Sequence, residues 1–160
     1  MKDLSYEQRL QTLNLPTLAY RRLRGDLIET FKILSGKYDQ AVSDIFVLNK
    51  NQATRGHKYK LFKKRPRLNL RKYSFCYRVV DIWNNLPSDI VEAKTIYSFE
   101  RRLDKFLKDQ PIKFNFLEPV KVSGNTDLYV YISDENEELV SQDDSRPELS
   151  YFIQSDTITF

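Results

Sequence analysis

The sequence predicts a mainly α-helical protein: a small helical bundle with a basic β-hairpin or extended arm and a weakly ordered acidic C-terminal tail. Apolar residues recur at spacings of three and four in several segments, which is the period of an amphipathic helix. Apolar and basic residues then alternate in the middle of the chain, and the charge changes sign towards its end. A chain of 160 residues has room for one domain and a tail, which we divide into residues 1–111 and 112–160.

The first two helices follow from apolar spacing and from the residues that end them. Residues 3–14 form the first helix, and Pro16 interrupts it because the residue before a proline avoids helical backbone. The second helix, residues 17–35, is the clearest in the chain, and Gly36 suits the left-handed position that closes a helix. Its apolar face, which we interpret as core, contains Tyr20, Leu23, Leu27, Phe31 and Leu34.

Two further helices complete the predicted bundle, at residues 73–85 and 96–108, and a short helical piece precedes them at 40–46. Trp83 is interpreted as a core anchor because tryptophan offers the largest apolar area of any side chain. Thr95 is a suitable N-cap for the last helix.

The most informative feature is the basic stretch, residues 45–80, which contains 11 Lys/Arg and no Asp or Glu. Aromatic residues are interspersed through it: Phe46, Tyr59, Phe62, Tyr73, Phe75 and Tyr77. From His57 onward, apolar and basic residues alternate with a period of two. A β-hairpin with a basic tip explains this pattern, and so does an extended arm that orders only on a partner.

Cations of one sign with interleaved rings are typical of a polyanion-binding surface, because the cations release counterions from phosphates and the rings stack on bases. A solvated face of a small domain is the alternative interpretation. We predict nucleic-acid contacts at Arg55, His57, Lys58, Tyr59, Lys60, Phe62, Lys63, Lys64, Arg65, Arg67, Arg71, Lys72, Arg78, Arg101 and Lys105. Arg101 and Lys105 form a second candidate row, on the outer side of helix 96–108. His57 either donates to a phosphate or lies in a loop facing water.

The composition gives little support to an enzyme, a metal site or a membrane protein. His57 is the only histidine and Cys76 the only cysteine. Metal sites and catalytic centres that need several histidines or cysteines therefore cannot be built from these residues. The four glycines are scattered and form no phosphate-binding loop. No apolar run approaches the roughly 20 residues of a membrane helix. We therefore predict no catalytic residue, metal, cofactor, small-molecule substrate or membrane contact.

The C-terminal part of the chain differs from the rest in charge. Residues 1–113 carry 24 Lys/Arg against 12 Asp/Glu, whereas residues 114–160 carry 2 against 10. We expect one or two short strands in this acidic tail, chiefly at 127–133, and it could fold back over the basic stretch when no polyanion is bound. The single cysteine suits a reducing compartment, and the KKRPR run at 63–67 would serve as a nuclear import signal. An intracellular location is therefore expected, in the nucleus rather than the cytoplasm.

Three blocks of the sequence resemble a known family. They are LNLPTLAYRRLRGDLIETFKILSGKYD (13–39), TRGHKYKLFKKRPRLNLRKYSFCYRVVDIWNNLP (54–87) and SFERRLDKFLKD (98–109). In this order and spacing they are similar to the region that follows the polymerase thumb in reverse transcriptases of jockey-like non-LTR retrotransposons. The resemblance covers residues 6–110, and the segment after residue 111 lies outside it.

The resemblance implies a parent protein with an endonuclease and an RNA-directed DNA polymerase, in which this helical region grips the template–primer duplex or the target DNA. The Tyr-Ala-Asp-Asp type motif, the fingers, the palm and the endonuclease are not in this sequence, so no metal-binding carboxylate of the family can be assigned. We therefore expect a non-catalytic nucleic-acid-binding fragment whose partners are DNA, RNA or both, with the parent's polymerase core as a further candidate partner. The alternatives are a structural or protein-interaction module and a retroelement relic without a selected function.

Overall fold

The computed structural model describes residues 4–50, 56–65, 68, 71, 73–122 and 126–130, and the mainly helical character predicted from the sequence is confirmed. The helices are α1 (Tyr6–Leu13), α2 (Leu18–Leu34), α3 (Gln40–Ser43), α4 (Phe75–Asn85), α5 (Ser88–Val91) and α6 (Ile96–Leu107). A 3-10 turn at Pro111–Lys113 follows them, and then the short strands β1 (Val120–Val122) and β2 (Thr126–Leu128). The predicted long helices are all present, with their ends displaced by at most three residues.

Side-chain caps explain where the main helices begin. Ser5 forms a reciprocal capping box at the start of α1. Thr17 and Thr95 each accept a hydrogen bond from the third amide of α2 and α6, so the predicted cap at Thr95 is confirmed. Gly36 follows α2 with a φ of 67°, the left-handed conformation expected at that position.

The core lies where α2 packs on α4 and α6. Three ring contacts run through it in series. Phe31 of α2 stacks on Phe99 of α6 at 4.3 Å between centroids, Phe99 lies 6.0 Å from Trp83 of α4, and Trp83 lies 6.1 Å from His57. Trp83 is 1% exposed, which confirms it as a core anchor. This aromatic column joins three helices to the basic stretch.

Two bidentate ion pairs tie α2 to the helices that pack on it. Arg24 donates to both carboxylate oxygens of Asp104 on α6, at 2.6 and 3.0 Å. Arg78 of α4 donates to both oxygens of Asp26 on α2, at 2.7 and 2.9 Å. The second pair is the more buried, since its side chains are 24% and 16% exposed against 36% and 47% for the first. Removal of one partner should therefore cost more stability in this pair than in the first.

The packed core continues past residue 111, where the sequence suggested the domain would end. Ile112 and Val120 are fully buried. Thr17 donates its hydroxyl to the carbonyl of Ile112 at 2.7 Å, which fixes the chain after α6 against the start of α2. Strand β1 pairs with β2 in antiparallel register, with Val120 opposite Leu128. Ile112 and Val120 thus belong to the same core as the helices, and the rest of the acidic tail, residues 131–160, lies outside the described residues.

Candidate functional site

Part of the basic stretch is held against α4 through its backbone. We call residues 56–65 the clamped segment. The indole Nε1 of Trp83 donates to the carbonyl of Tyr59 at 2.9 Å. The side-chain amide of Asn84 accepts a hydrogen bond from the N–H of Leu61 at 2.7 Å and donates one to the C=O of Leu61 at 2.9 Å. It therefore pairs with that residue as a neighbouring strand would. The backbone of the clamped segment is thus positioned by two adjacent side chains of one helix.

The other edge of the clamped segment pairs with residues 47–49. Leu61 lies opposite Leu48 in an antiparallel bridge, flanked by two backbone hydrogen bonds of 2.7 Å. Since the amide and carbonyl of Leu61 are already bonded to Asn84, both edges of the chain are occupied at this point. At this point the basic stretch is therefore extended and anchored in the fold, and Leu61 is 1% exposed. The predicted hairpin and the alternative of an extended arm stay predictions for the remainder of the stretch, of which residues 66, 67, 69, 70 and 72 lie outside the described residues.

The bridge places alternate side chains of the clamped segment on opposite faces, because successive residues of an extended chain point in opposite directions. Leu61 faces the core. We call the opposite side the outer face, and it carries Val47, Lys60, Phe62 and Lys64. Phe62 is 54% exposed and Val47 43% exposed, so an aromatic ring and aliphatic groups stand beside the lysines.

The structure divides the predicted cationic contacts into groups of different accessibility. The exposed ones are Lys58, Lys63, Lys64, Arg65 and Arg71 in the basic stretch and Arg101 and Lys105 on α6. Lys60 is half-buried, and the ammonium of Lys63, although exposed, pairs with Asp81 of α4 at 2.8 Å. Arg55, Arg67 and Lys72 lie outside the described residues. The pairing of Lys63 weakens its case as a phosphate contact, because a phosphate would compete with a carboxylate.

Arg78 has a structural role in place of the predicted contact with nucleic acid. Its Nε and Nη2 donate to the carboxylate of Asp26, and its Nη1 donates to the carbonyl of Tyr73 at 2.8 Å. A phosphate could bind this guanidinium only by displacing the carboxylate that joins α4 to α2. The prediction for Arg78 is therefore corrected.

The prediction for His57 is also corrected. Its side chain is 3% exposed, so it can neither donate to a phosphate nor face water from a loop. Its Nε2 lies 2.9 Å from the carbonyl of Trp83. A carbonyl can only accept, so Nε2 carries the proton, and Nδ1 is a buried acceptor without a hydrogen-bond partner among the described residues. Burial lowers the pKa of His57, and the nearby charge of Lys60 adds to that effect, while the bond to Trp83 and the charge of Glu92 oppose it.

The buried imidazole predicts that the protein loses stability on mild acidification. The unfolded chain has a histidine pKa of about 6.5 and binds a proton before the folded state does. The free energy of unfolding should therefore fall as the pH drops below about 6.5, by no more than about 1.4 kcal/mol per pH unit, and level off below the folded-state pKa. Urea unfolding followed between neutral and mildly acidic pH measures this dependence.

His57→Gln provides the matched control, because glutamine can still donate to the carbonyl of Trp83 but does not titrate. His57 is the only histidine of the chain, so the variant should abolish the pH dependence in the range above carboxylate titration. A variant that retains the wild-type slope would show that another group is responsible.

Aromatic side chains accompany the cations at two places. The ammonium of Lys58 lies 5.2 Å from the ring centroid of Tyr59, which is 37% exposed. On α6 the guanidinium of Arg101 lies 5.8 Å from the ring of Tyr97, which is 68% exposed. Both distances are within the range of a cation–π interaction. Among the aromatic residues predicted to contact nucleic acid in the clamped segment, Phe62 is the most exposed.

Asn84, which holds the clamped segment in place, is not among the residues predicted from the sequence. A polar residue next to a buried tryptophan on a helix is the one signal that could have indicated it. Asp81, the partner of Lys63, directly follows the basic stretch and is not among the predicted residues either. Both contacts join residues about 20 positions apart, and spacing along a helix does not reveal such pairs.

No family model, curated protein or solved structure matches this chain. In the part of the chain that the structure describes, no three His, Cys, Asp or Glu side chains are grouped as a metal site would require. A search of the same residues finds no helix with the length and apolar character needed to cross a bilayer.

Proposed function

We propose that the protein is a non-catalytic nucleic-acid-binding module, which grips a template–primer duplex or target DNA as the region after the thumb of a retroelement reverse transcriptase would. The observation that carries this proposal is the clamped segment. Its exposed cations flank residues 59–62, whose backbone is hydrogen-bonded to Trp83 and Asn84 on one side and to residues 47–49 on the other. The expected location in the nucleus follows from the same proposal.

A fixed backbone favours binding because little conformational freedom of the main chain is lost when phosphates arrive. The exposed cations Lys58, Lys64 and Arg65 lie within eight consecutive residues of this segment. Phosphate contacts of this kind orient a duplex but read no sequence. We therefore expect binding that depends strongly on salt and weakly on base sequence.

Replacing Lys58, Lys64 and Arg65 together with alanine tests the proposal. Each lost phosphate contact lowers the dependence of log affinity on log salt by about 0.9 for duplex DNA. The triple variant should therefore bind a labelled duplex at least about tenfold more weakly at low salt, with a slope reduced by about 2 to 3. Fluorescence anisotropy titrations at several salt concentrations give both quantities.

A matched variant, in which Arg21, Lys37 and Lys121 are replaced with alanine, removes the same charge from exposed positions outside the basic stretch. It should keep nearly the wild-type salt slope. Equal effects of the two triple variants would show that net charge alone attracts the duplex, and the clamped segment would lose its assigned role. A double variant of Arg101 and Lys105 measures the contribution of the second row on α6.

A protein-interaction module is the second candidate function, and the exposed apolar side chains of the outer face favour it. Ile45, Val47 and Phe62 are each more than 40% exposed, and neighbouring exposed apolar groups often mark contact surfaces. If this candidate is correct, the wild-type protein should bind neither RNA nor DNA at low salt. The anisotropy titration of the wild-type protein therefore separates the two functions.

A further inference from the structure

A cleft of about 90 Å³ lies beside the outer face of the clamped segment. It is lined by Ile45, Phe46, Val47, Phe62, Lys64, Cys76 and Tyr77. Phe62 comes from the clamped segment and Tyr77 from α4, so two independent parts of the fold contribute aromatic rings. Lys64 supplies a positive charge in the same lining.

The walls of this cleft are positioned before any ligand arrives. The amide of Phe62 donates to the carbonyl of Val47 at 2.7 Å, which joins two of the lining residues directly. Phe46 is 8% exposed and packs edge-to-face on Phe75 at 5.6 Å between centroids. The lining is therefore anchored to the core through Phe46 and to the clamped segment through Phe62.

The cleft also has the chemical character of a ligand site. Phe62 is 54% exposed, and Ile45 and Val47 are each 43% exposed, so apolar surface faces solvent next to cationic groups. An occupant with a flat apolar part and a negative charge would satisfy both features. A nucleotide has this combination, because its base stacks on aromatic rings and its phosphate attracts a lysine.

We infer that the cleft holds one unpaired base of a single-stranded nucleic acid, with Lys64 contacting the adjacent phosphate. The inference rests on the proposed function, since the clamped segment is what brings the strand to the cleft. A base inside a duplex is stacked and paired, so it can enter only after it is unpaired. The cations of the clamped segment serve duplex and single strand alike, whereas the cleft selects an unpaired nucleotide.

Two labelled duplexes of annealed strands test this selectivity, one with blunt ends and one with a short single-stranded overhang. The wild-type protein should bind the overhang duplex about tenfold more tightly than the blunt duplex, given the usual contribution of stacking on one aromatic side chain. Phe62→Ala and Phe62→Leu should lose that preference, while Phe62→Trp should retain it. Leucine keeps apolar volume without a stacking surface, so the pair of variants separates stacking from simple burial.

Tyr38→Ala is the matched control, because Tyr38 is a 41% exposed aromatic residue that does not line the cleft. It should leave the overhang preference unchanged. Retention of the preference in both Phe62→Ala and Phe62→Leu would overturn the assignment of the cleft.

Cys76 gives a second readout on the unmodified protein, because it lines the cleft and is the only cysteine of the chain. Saturating overhang duplex should slow its alkylation by iodoacetamide several-fold, and the blunt duplex should not. Equal protection by both oligonucleotides, or protection by an acidic peptide in place of the oligonucleotide, would contradict a site for an unpaired base.

If both oligonucleotides bind with the expected salt dependence but show no such differences, the cleft assignment fails and the proposed function stands. If neither binds, the proposed function fails and the cleft assignment fails with it.

Discussion

Trp83→Ala is expected to lower the free energy of unfolding by about 3 to 5 kcal/mol, the usual cost of removing a large buried aromatic side chain. Trp83 is 1% exposed and contacts both Phe99 and His57 in the aromatic column. The same substitution deletes the indole hydrogen bond to Tyr59, which holds the clamped segment on α4. A loss of this size is a large part of the stability of an ordinary domain, about 5 to 15 kcal/mol, so the variant should unfold at a much lower urea concentration.

Urea unfolding followed by far-UV circular dichroism measures this effect, since Trp83 is the only tryptophan and its fluorescence disappears with it. Trp83→Phe is the matched control, because it keeps most of the apolar volume and loses the hydrogen bond. That variant should cost only about 1 to 2 kcal/mol. A loss below about 1 kcal/mol in the alanine variant would mean that Trp83 is not the centre of the core.

Asp26→Ala is expected to lower the free energy of unfolding by about 2 to 3 kcal/mol. The substitution leaves the largely buried guanidinium of Arg78 without the carboxylate that accepts two of its hydrogen bonds. Most of the cost comes from the unpaired charge and not from the loss of attraction alone. A double variant, Asp26→Ala with Arg78→Met, should therefore be more stable than Asp26→Ala by itself.

The pair formed by Arg24 and Asp104 provides the comparison, because it has the same bidentate geometry with more exposed side chains. Asp104→Ala should cost about 1 kcal/mol or less. Chemical unfolding of the variants, compared in a double-mutant cycle, gives these differences. Arg78→Met should destabilise the protein and leave the salt slope of nucleic-acid binding unchanged. A reduced slope with unchanged stability would restore Arg78 as a phosphate contact.

The helices were predictable because the information that specifies them is local. Apolar spacing placed α2 and α6 within one or two residues of their observed ends, and Thr95 and Gly36 act as the predicted terminal residues. The burial of Ile112 and Val120 was not predictable, because both lie in short segments without a helical period. Their burial depends on α2, which is far away in sequence.

The candidate site was predictable in its charge but not in its geometry. The excess of cations in residues 45–80 is visible in the sequence, and seven of the predicted cations are exposed at described positions. The contacts that order the clamped segment come from Trp83 and Asn84, more than 20 residues later. The cleft likewise combines Ile45 with Phe62 and Tyr77, three residues that no single periodic pattern brings together.

By itself, the sequence determined the helical character, the identity of the core tryptophan and the excess of positive charge, because each is a property of composition or short-range spacing. Only the tertiary structure decided which cations are already paired within the fold. Arg78 is neutralised by a carboxylate 52 positions away and Lys63 pairs with one 18 positions away. A charge is available to a ligand only if the fold has not already paired it, and that pairing depends on which distant segments pack together.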